Sequence, residues 1–326
     1  MRGRKMHNTL LLGNGFVRAA YKDVHGWKNL YEKEKITYSF DNLTFLYEAH
    51  LLNGNKSDNQ FKREIVDVLR NDVCMDHLRQ GTNQLRKFGS LLKQNDIHDI
   101  ITTNYDKGIE NILCEVNGYT ELWPDDIDRE SGEKVYNIRR CIRLTDGEHE
   151  VRLWKMHGDI DHIASLFLGF DQYCGAISKM NNYLKGEYCS SSGLECRRTI
   201  AQKCRDYEKD PWDGKDCFSW IDLFFNTNLY MAGFGMDFSE TDIWWLINKR
   251  RRLIKQNIPI SNKIYFLYNS HDTGELEKSD KQRDLLDEKM ALLQAFGVDC
   301  DKIGWDENCI TEIFKYINNK TNVGRN

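Results

Sequence analysis

The 326-residue sequence is poor in the features that link flexible domains or cross membranes. It has only three prolines and no Gly/Ser-rich tract, which argues against long flexible linkers. Its longest apolar run, LYMAGFGMDF, is too short to span a bilayer. The basic N-terminus leads only into the short apolar segment Leu10 to Leu12, and no small-residue cleavage site follows. We therefore expect a cytoplasmic chain with no membrane partner.

An excess of positive charge is also absent, because the formal net charge is -4. General electrostatic attraction to nucleic acid is not expected, and we predict no direct nucleic-acid binding. The local exception is the basic run KRRRLIK at residues 249–255. At helical spacing, the apolar residues around this run fall on one face of the helix, and Arg251, Arg252 and Lys255 fall on the other. This pattern favours a solvated helix face, and a partner-binding surface is the alternative.

The ten cysteines include no paired C-x-x-C motif. They are scattered over a large chain, unlike the dense cysteines of small disulfide-stabilised proteins. Four lie closer together in a polar segment: Cys189, Cys196, Cys204 and Cys217. Because their spacings are wider than those of a zinc ribbon, we predict reduced, mostly buried thiols and no metal ion.

Short apolar segments alternate with amphipathic helical patterns along the chain. The apolar segments are NTLLLGNGF, HDIITTN, KVYNIRRCIRL, VRLWKMHG, NLYMAGFG and KIYFLYNS. Strands that alternate with helices indicate a parallel sheet covered on both faces. The predicted fold class is therefore α/β, a doubly wound Rossmann-like parallel sheet.

We predict a single domain over residues 1–326, with a sheet core built from three parts of the chain. These parts are approximately residues 6–16, 97–158 and 226–320. Two helical insertions, at about residues 17–95 and 160–225, interrupt the sheet. They are predicted to pack together as a second small lobe, which includes the cysteine-containing segment 174–217.

Three later segments carry helix signals. SETDIWWLINKRRRLIK reads as a helix with Ser239 as N-cap and Asp242 three residues on, as in a capping box. KQRDLLDEKMALLQAFG reads as a helix that ends at Gly297, and NCITEIFKYI as a final helix.

Four polar or glycine-rich segments follow predicted strands. They are GNGF at 13–16, TTNYD at 102–106, MHGD at 156–159 and GFGMDFSETD at 233–242. In an open parallel sheet, ligands bind beyond the carboxyl ends of the strands. The recurrence of such segments predicts a binding site at that edge.

The glycine turn offers one contact in such a site. Gly13, Asn14, Gly15 and Phe16 stand where a strand-to-helix turn lets the backbone approach a pyrophosphate. Arg18 occupies the position of the third glycine in the G-x-G-x-x-G fingerprint. A plain turn is the alternative interpretation.

The polar side chains have structural alternatives as well. Asn104 and Asp106 could cap the helix that starts near Lys107. Capping accounts for one or two polar groups, whereas residues 102–106 supply five in a row. His157, at a strand end, could simply be satisfied by a backbone partner.

Three segments follow in order after the strand that ends in GNGF: ITTNYDKGIE, LWKMHGD and MAGFGMDFSETDIWWLI. Together they resemble the prokaryotic sirtuin-like domain, over about two thirds of the chain. In that family, the T-N-Y-D segment and the later H-G dipeptide line the nicotinamide–ribose end of a NAD-binding pocket. The family segment that corresponds to GFGMDFSETD, residues 233–242, packs near the nucleotide.

The resemblance implies a NAD-binding fold. The bacterial anti-phage members of the family hydrolyse NAD to nicotinamide and ADP-ribose, and the resemblance implies the same activity here. Asn104 and His157 match the family's catalytic pair, and Asp106 matches the acidic residue of the same motif. The resemblance implies further NAD-binding residues. They are Gly13, Asn14, Gly15, Phe16, Thr102, Thr103, Tyr105, Gly233, Phe234, Gly235 and Asp242.

Two departures from the family pattern bear on the activity. The glycine turn reads G-N-G-F where sirtuins have G-A-G-[IV]-S. The paired-cysteine zinc module of protein deacylases is missing, which counts against deacylation and for NAD cleavage. Because such a NADase is toxic when active, a homo-oligomer, a companion defence protein or the helical lobe is expected to restrain it.

The chemistry of NAD cleavage agrees with these residue types. Nicotinamide leaves as a neutral molecule, so cleavage needs no strong acid at the leaving group. It needs a site that stabilises an oxocarbenium-like ribose and a base for the attacking water. His157 suits the base because imidazole titrates near working pH. Asn104 donates and accepts at once, and Asp106 could hold the carboxamide or the Asn104 loop.

Two other functions remain open at this point. One is a non-catalytic module that senses NAD or ADP-ribose and acts through a partner protein. The other is a deacylase or ADP-ribosyl transferase, which would need an acceptor groove for which the sequence gives no signal.

Overall fold

The protein is described by a computed structural model. It covers residues 6–25, 48, 50, 57–79, 83–122, 138–190, 193–207, 217–233, 235–237, 239–269, 280–305 and 308–323. The first four residues of the predicted strand KVYNIRRCIRL lie outside these ranges. None of the helices within them is long and apolar enough to cross a membrane.

In the described part of the chain, eight strands form one large sheet in the order β10-β9-β8-β1-β2-β5-β4-β3. Their bounds are β1 Asn8–Leu12, β2 Ile97–Thr102, β3 Thr120–Leu122, β4 Ile142–Thr145, β5 Glu150–Lys155, β8 Asn228–Ala232, β9 Ile264–Asn269 and β10 Val298–Ile303. Neighbours from β10 to β5 run parallel, while β4 and β3 form an antiparallel edge. A separate small ribbon joins β6, Tyr188–Cys189, to β7, Glu195–Cys196. The predicted Rossmann-like α/β fold is confirmed.

Helices flank the sheet. Their bounds are α1 Asn14–Ala20, α2 Asp58–Asp72, α3 Asn83–Gln94, α4 Gly108–Asn111, α5 Phe170–Lys185, α6 Ile200–Tyr207, α7 Trp220–Asn226, α8 Thr241–Lys255, α9 Asp280–Ala295 and α10 Cys309–Val323. A π-helical turn, Ile112–Val116, continues α4, and short 3-10 turns cover Met75–His77 and Ile163–Ser165.

The strands are buried on both faces, as a doubly wound sheet requires. Leu11 points into one hydrophobic cluster, with α5, α7 and α8, while Leu10 and Leu12 point into the other, with α1, α3 and α10. This alternation follows from the two-residue period of a strand. Each fully buried leucine contributes about 1.5–3 kcal/mol, so the pattern fixes the sheet between two helical layers.

Within the first predicted insertion, helices α2 and α3 pack in different places. Helix α3 contacts the sheet through Leu85 and Phe88. Helix α2 places Phe61 and Ile65 in a third cluster, together with Ile160 beyond β5. The description of the two insertions as a separate lobe stays a prediction.

The predicted capping box of α8 is wrong. The helix begins at Thr241 with Glu240 as N-cap, and no side chain caps it. The reason is that the Asp242 carboxylate is turned inward, where His157 Nε2 and Ile243 N contact it. The prediction that a helix ends at Gly297 agrees with the structure. Helix α9 ends at Ala295, and Gly297 follows with a φ of 84°.

The basic run on α8 does not form a uniform solvated face. Arg252 and Lys255 are exposed, as predicted, and Arg251 is partly exposed. Arg250 is buried, and its guanidinium donates to Asn262 Oδ1 at 3.2 Å from Nε. Burial lowers the pKa of Arg250 to about 10. One cation of the run therefore anchors α8 to the chain before β9.

The prediction of reduced thiols is wrong for one pair of cysteines. Cys196 and Cys217 form a disulfide, with Cα atoms 5.3 Å apart. The β6–β7 ribbon places Cys196 next to the chain that enters α7. Because the partners are 21 positions apart and belong to no motif, their spacing gave no signal of the bond.

Candidate active site

Four strand ends meet at the carboxyl edge of the sheet. Leu12, the last residue of β1, pairs with Thr102 on one side and Ala232 on the other. Thr102 in turn pairs with Lys155 at the end of β5. The four polar or glycine-rich segments therefore follow adjacent strands, as the sequence predicted.

The glycine turn after β1 packs against the backbone of the loop after β8. Gly15 N donates to Gly233 O at 2.5 Å, and Gly13 N donates to Ala232 O at 3.0 Å. A Cβ on Gly15 would come 2.7 Å from Gly233 O, and a Cβ on Gly233 would come 2.7 Å from Phe16 N. Close approach between two loops thus requires both glycines.

Both side chains of the glycine turn, those of Asn14 and Phe16, have partners within the fold. Phe16 is buried in the core, with its ring centroid 5.2 Å from that of Phe88. Asn14 donates from Nδ2 to His25 O at 3.1 Å. Gly13 N, Gly15 N and Phe16 N are also engaged within the fold, as donors to Ala232 O, Gly233 O and Gly13 O.

Much of the TTNYD segment is tied into the fold. Thr102 Oγ1 donates to Leu12 O at 2.7 Å and accepts from Asn104 N at 3.1 Å. Tyr105 donates from its hydroxyl to Phe167 O at 2.5 Å. Asp106 Oδ1 accepts from Gly108 N at 2.7 Å, which satisfies the first residue of α4. Asp106 therefore binds the first amide of α4, although the N-cap residue is Lys107 and no side chain caps the helix. Burial raises the pKa of Asp106.

Asn104 is different. Its side chain is 6% exposed, and its Nδ2 is buried with no hydrogen-bond partner in the described structure. A buried donor without a partner costs about 1–3 kcal/mol. Such a group at the carboxyl edge of the sheet is suited to a ligand that supplies the acceptor. Thr103 beside it is partly exposed.

His157 lies two residues beyond β5, as Asn104 lies two residues beyond β2. It is 2% exposed, and its Nε2 is 2.9 Å from Asp242 Oδ2. The rings of Phe167 and Tyr173 lie against the imidazole, with centroids at 5.5 and 5.2 Å. Burial alone lowers the pKa of His157, but Asp242 and then Glu240 favour the imidazolium, and the net pKa is raised.

Glu240 is a second carboxylate beside His157, and the sequence analysis did not single it out. Its Oε2 lies 3.9 Å from His157 Nδ1 and has no hydrogen-bond partner in the described part of the chain. Burial, with smaller contributions from Asp242 and Asp237, raises the pKa of Glu240 to about 7, although His157 opposes the shift. A carboxylate just before a helix is common, so the sequence gave no signal for this one.

His157, Glu240 and Asp242 are also the residues best placed to hold a metal ion. One ligand atom from each lies within 4.8 Å of the others, among the described residues. Imidazole with two carboxylates is a ligand set that divalent metals accept. In the present geometry, the hydrogen bond to Asp242 already occupies Nε2.

The loop after β8 completes the site. Gly233 has a φ of 80°, and Gly235 O accepts from Lys289 Nζ at 2.8 Å. Lys289 also pairs with Asp237 at 3.1 Å. Trp305, two residues after β10, would come 3.2 Å from a Cβ on Gly233. Phe234 lies outside the described residues.

The fold and this site define a Rossmann-like protein with a polar site at the carboxyl edge of a parallel sheet. The family model of the SIR2-like domain matches residues 98–194, which include Asn104, Asp106 and His157. Residues 98–194 therefore match a SIR2-like domain, which agrees with the predicted sirtuin-like resemblance and fits NAD-related activity. Gly13–Phe16 and Gly233–Asp242 lie outside the match. No match to the chain was found among curated proteins.

Proposed function

We propose that the protein is a NAD+ glycohydrolase that cleaves NAD+ to nicotinamide and ADP-ribose. The observation that carries the proposal is the buried Asn104 Nδ2, which has no partner within the described chain and follows the strand next to His157. A SIR2-like match over this region supports NAD as the substrate.

In this proposal, each side chain has a defined task. Asn104 fixes a ribose hydroxyl or the attacking water, for which an amide can both donate and accept. The bond between ribose C1′ and the nicotinamide nitrogen breaks, and nicotinamide leaves with the electron pair. Water adds to C1′ and gives its proton to Nδ1 of neutral His157, while Nε2–H donates to Asp242. Asp106 holds the loop through Gly108 N.

The remaining contacts with NAD+ belong to the same proposal. The backbone from Gly13 to Phe16 and the segment from Gly233 to Asp242 face the dinucleotide, with Thr102, Thr103 and Tyr105 supporting the ribose end. We assign no metal to the reaction.

We extend the proposal to the cell. The protein acts in the cytoplasm as an anti-phage effector. It depletes NAD+, and the loss of NAD+ aborts the infection. A homo-oligomer, a companion defence protein or both restrain it until infection. The support is the family resemblance of the motifs around Asn104 and His157.

One observation favours a second function, a non-catalytic NAD or ADP-ribose sensor that acts through a partner protein. His157 is 2% exposed, and carboxylates lie next to both of its ring nitrogens. A base held this tightly needs access to water before it can act. A sensor would keep its function in His157→Ala, whereas a hydrolase would keep binding and lose turnover.

The test is nicotinamide release from NAD+ and from a fluorogenic NAD+ analogue, measured with and without candidate activators. Wild type should release nicotinamide, while Asn104→Ala and His157→Ala should lose at least about 100-fold in rate, the range for a positioned acid or base. His98→Ala is the matched control, because His98 lies near the amino end of β2. Binding without release under every condition would favour the sensor.

A further inference from the structure

Lys155 is a buried cation at the junction of the two loops that carry Asn104 and His157. It is the last residue of β5, and its side chain is 5% exposed. Its Nζ donates to Asp106 O at 2.6 Å and to Tyr105 O at 3.2 Å. The donors of one ammonium thus hold two consecutive carbonyls of the loop after β2.

The same loop is joined to the chain that follows His157. Tyr105 O also accepts from Ile160 N at 3.1 Å. Lys155 precedes His157 in the chain and Ile160 follows it, and both therefore bind the loop that carries Asn104. A shift of either loop would have to break these bonds.

The charge of Lys155 is compensated inside the protein. Glu110 Oε1 lies 2.7 Å from Nζ, and Asp159 Oδ2 lies 3.7 Å away. Burial favours the neutral amine, but Glu110 and Asp159 favour the ammonium and the net pKa of Lys155 is raised. The side chain therefore keeps its donors at neutral pH.

We propose that Lys155 is a positioning residue that sets the Asn104 loop relative to His157. This inference rests on the proposed function, since it assigns a role in the same site. Two carbonyls that converge on one ammonium fix the orientation of two peptide planes next to Asn104. A displacement of about 1 Å at a reacting group can lower turnover by as much as about 100-fold, so this restraint matters for rate more than for binding.

A simpler role would be to neutralise Glu110. The two roles are separated by comparing Lys155→Met with the double variant Lys155→Met/Glu110→Gln. The single variant leaves a buried carboxylate unpaired, which destabilises a protein strongly. The double variant removes both charges of this pair and leaves only Asp159 without its cation, so its melting temperature should lie above that of the single variant, while Tyr105 O and Asp106 O still lack their donor.

The kinetic expectation is a split between kcat and KM. In the double variant, kcat for nicotinamide release should fall about 10- to 100-fold, with KM changed less than about threefold. Lys107→Met is the matched control, because Lys107 bridges the same two segments through Asp161 from a more exposed position. Exposed ion pairs contribute little, so this variant should keep wild-type kcat.

Hydrogen exchange gives a readout that does not depend on turnover. Amides from residue 103 to 107 should exchange at least tenfold faster in the double variant than in wild type. Wild-type exchange and wild-type kcat in a folded double variant would overturn the proposal. If no NAD+ is cleaved by any form of the protein, the proposed function fails while exchange still decides whether Lys155 holds the loop.

Discussion

His157 Nε2 lies 2.9 Å from Asp242 Oδ2, although the two residues are 85 positions apart in the chain. Asp242 is fully buried, and its other oxygen accepts from Ile243 N. A carboxylate in this position fixes the orientation and tautomer of an imidazole and stabilises its charged form. The contact makes Asp242 a partner of the proposed base, in addition to any contact it makes with NAD+.

Asp242→Asn should impair turnover more than binding. The amide cannot stabilise the imidazolium, so the pKa of His157 should fall and kcat should drop at least about tenfold. The acidic limb of the pH profile should move to lower pH, because neutral His157 then persists to lower pH. The measurement is nicotinamide release between pH 5 and 9. Glu187→Gln, at a side chain 63% exposed and outside the proposed site, should leave the profile in place.

Glu240→Gln should stabilise the protein at high pH. The pKa of Glu240 in the folded state is raised from 4.5 to about 7, so between these values the folded state holds a proton that the unfolded state has lost. Stability therefore falls as pH rises through this window, by roughly 3 kcal/mol for this group alone. His157 acts in the same direction, because its raised pKa gives stability at low pH that is lost as pH rises.

Thermal unfolding at pH 5 and pH 8.5 checks this expectation. The glutamine variant should unfold at a higher temperature than wild type at pH 8.5, and the difference should shrink at pH 5. Glu187→Gln, at a well exposed carboxylate, is the control and should show the same small difference at both pH values. An equal effect of Glu240→Gln at both pH values would contradict the assignment.

Gly233→Ala should cost more stability than Gly147→Ala. Both glycines have positive φ, 80° and 90°, so both substitutions carry the backbone strain of about 1–3 kcal/mol. Only Gly233 has a neighbour in the way, Phe16 N at 2.7 Å, whereas a Cβ on Gly147 meets nothing within 4 Å. Denaturant unfolding of the two variants measures the extra cost. Equal losses would show that the loop contact with the glycine turn adds nothing.

Chelation should leave the activity unchanged, because the proposal assigns no metal to the reaction. The check is nicotinamide release after dialysis against EDTA, with and without added Mn2+ or Zn2+. If EDTA abolished activity and a divalent ion restored it, His157, Glu240 and Asp242 would be reassigned as ligands, since their ligand atoms lie within 4.8 Å of one another.

Local sequence patterns predicted the polar carboxyl edge of the sheet. They did not predict the hydrogen bonds between distant residues that support this edge. The apolar run before Thr102 and the run before His157 each end in polar residues, so their strands and loops could be recognised from neighbours in sequence. The bonds from Lys155 to Tyr105 and Asp106 join distant segments, and nothing in the sequence near Lys155 indicates them.

Two further differences have the same physical origin. Ser239 and Asp242 have the spacing of a capping box, but tertiary contact with His157 turned the carboxylate inward. Gly15 has the position of a phosphate-binding glycine, and its contact with Gly233 could not be anticipated because it depends on which strands become neighbours. Local propensity is overridden where distant strands meet.

The most direct test of the central claim is a crystal structure of the protein with a non-hydrolysable NAD+ analogue. The account predicts the glycosidic carbon within roughly 4 Å of both the Asn104 amide and the His157 imidazole, the separation of groups poised to react. A dinucleotide bound elsewhere, or an amide and an imidazole that face different cavities, would contradict it.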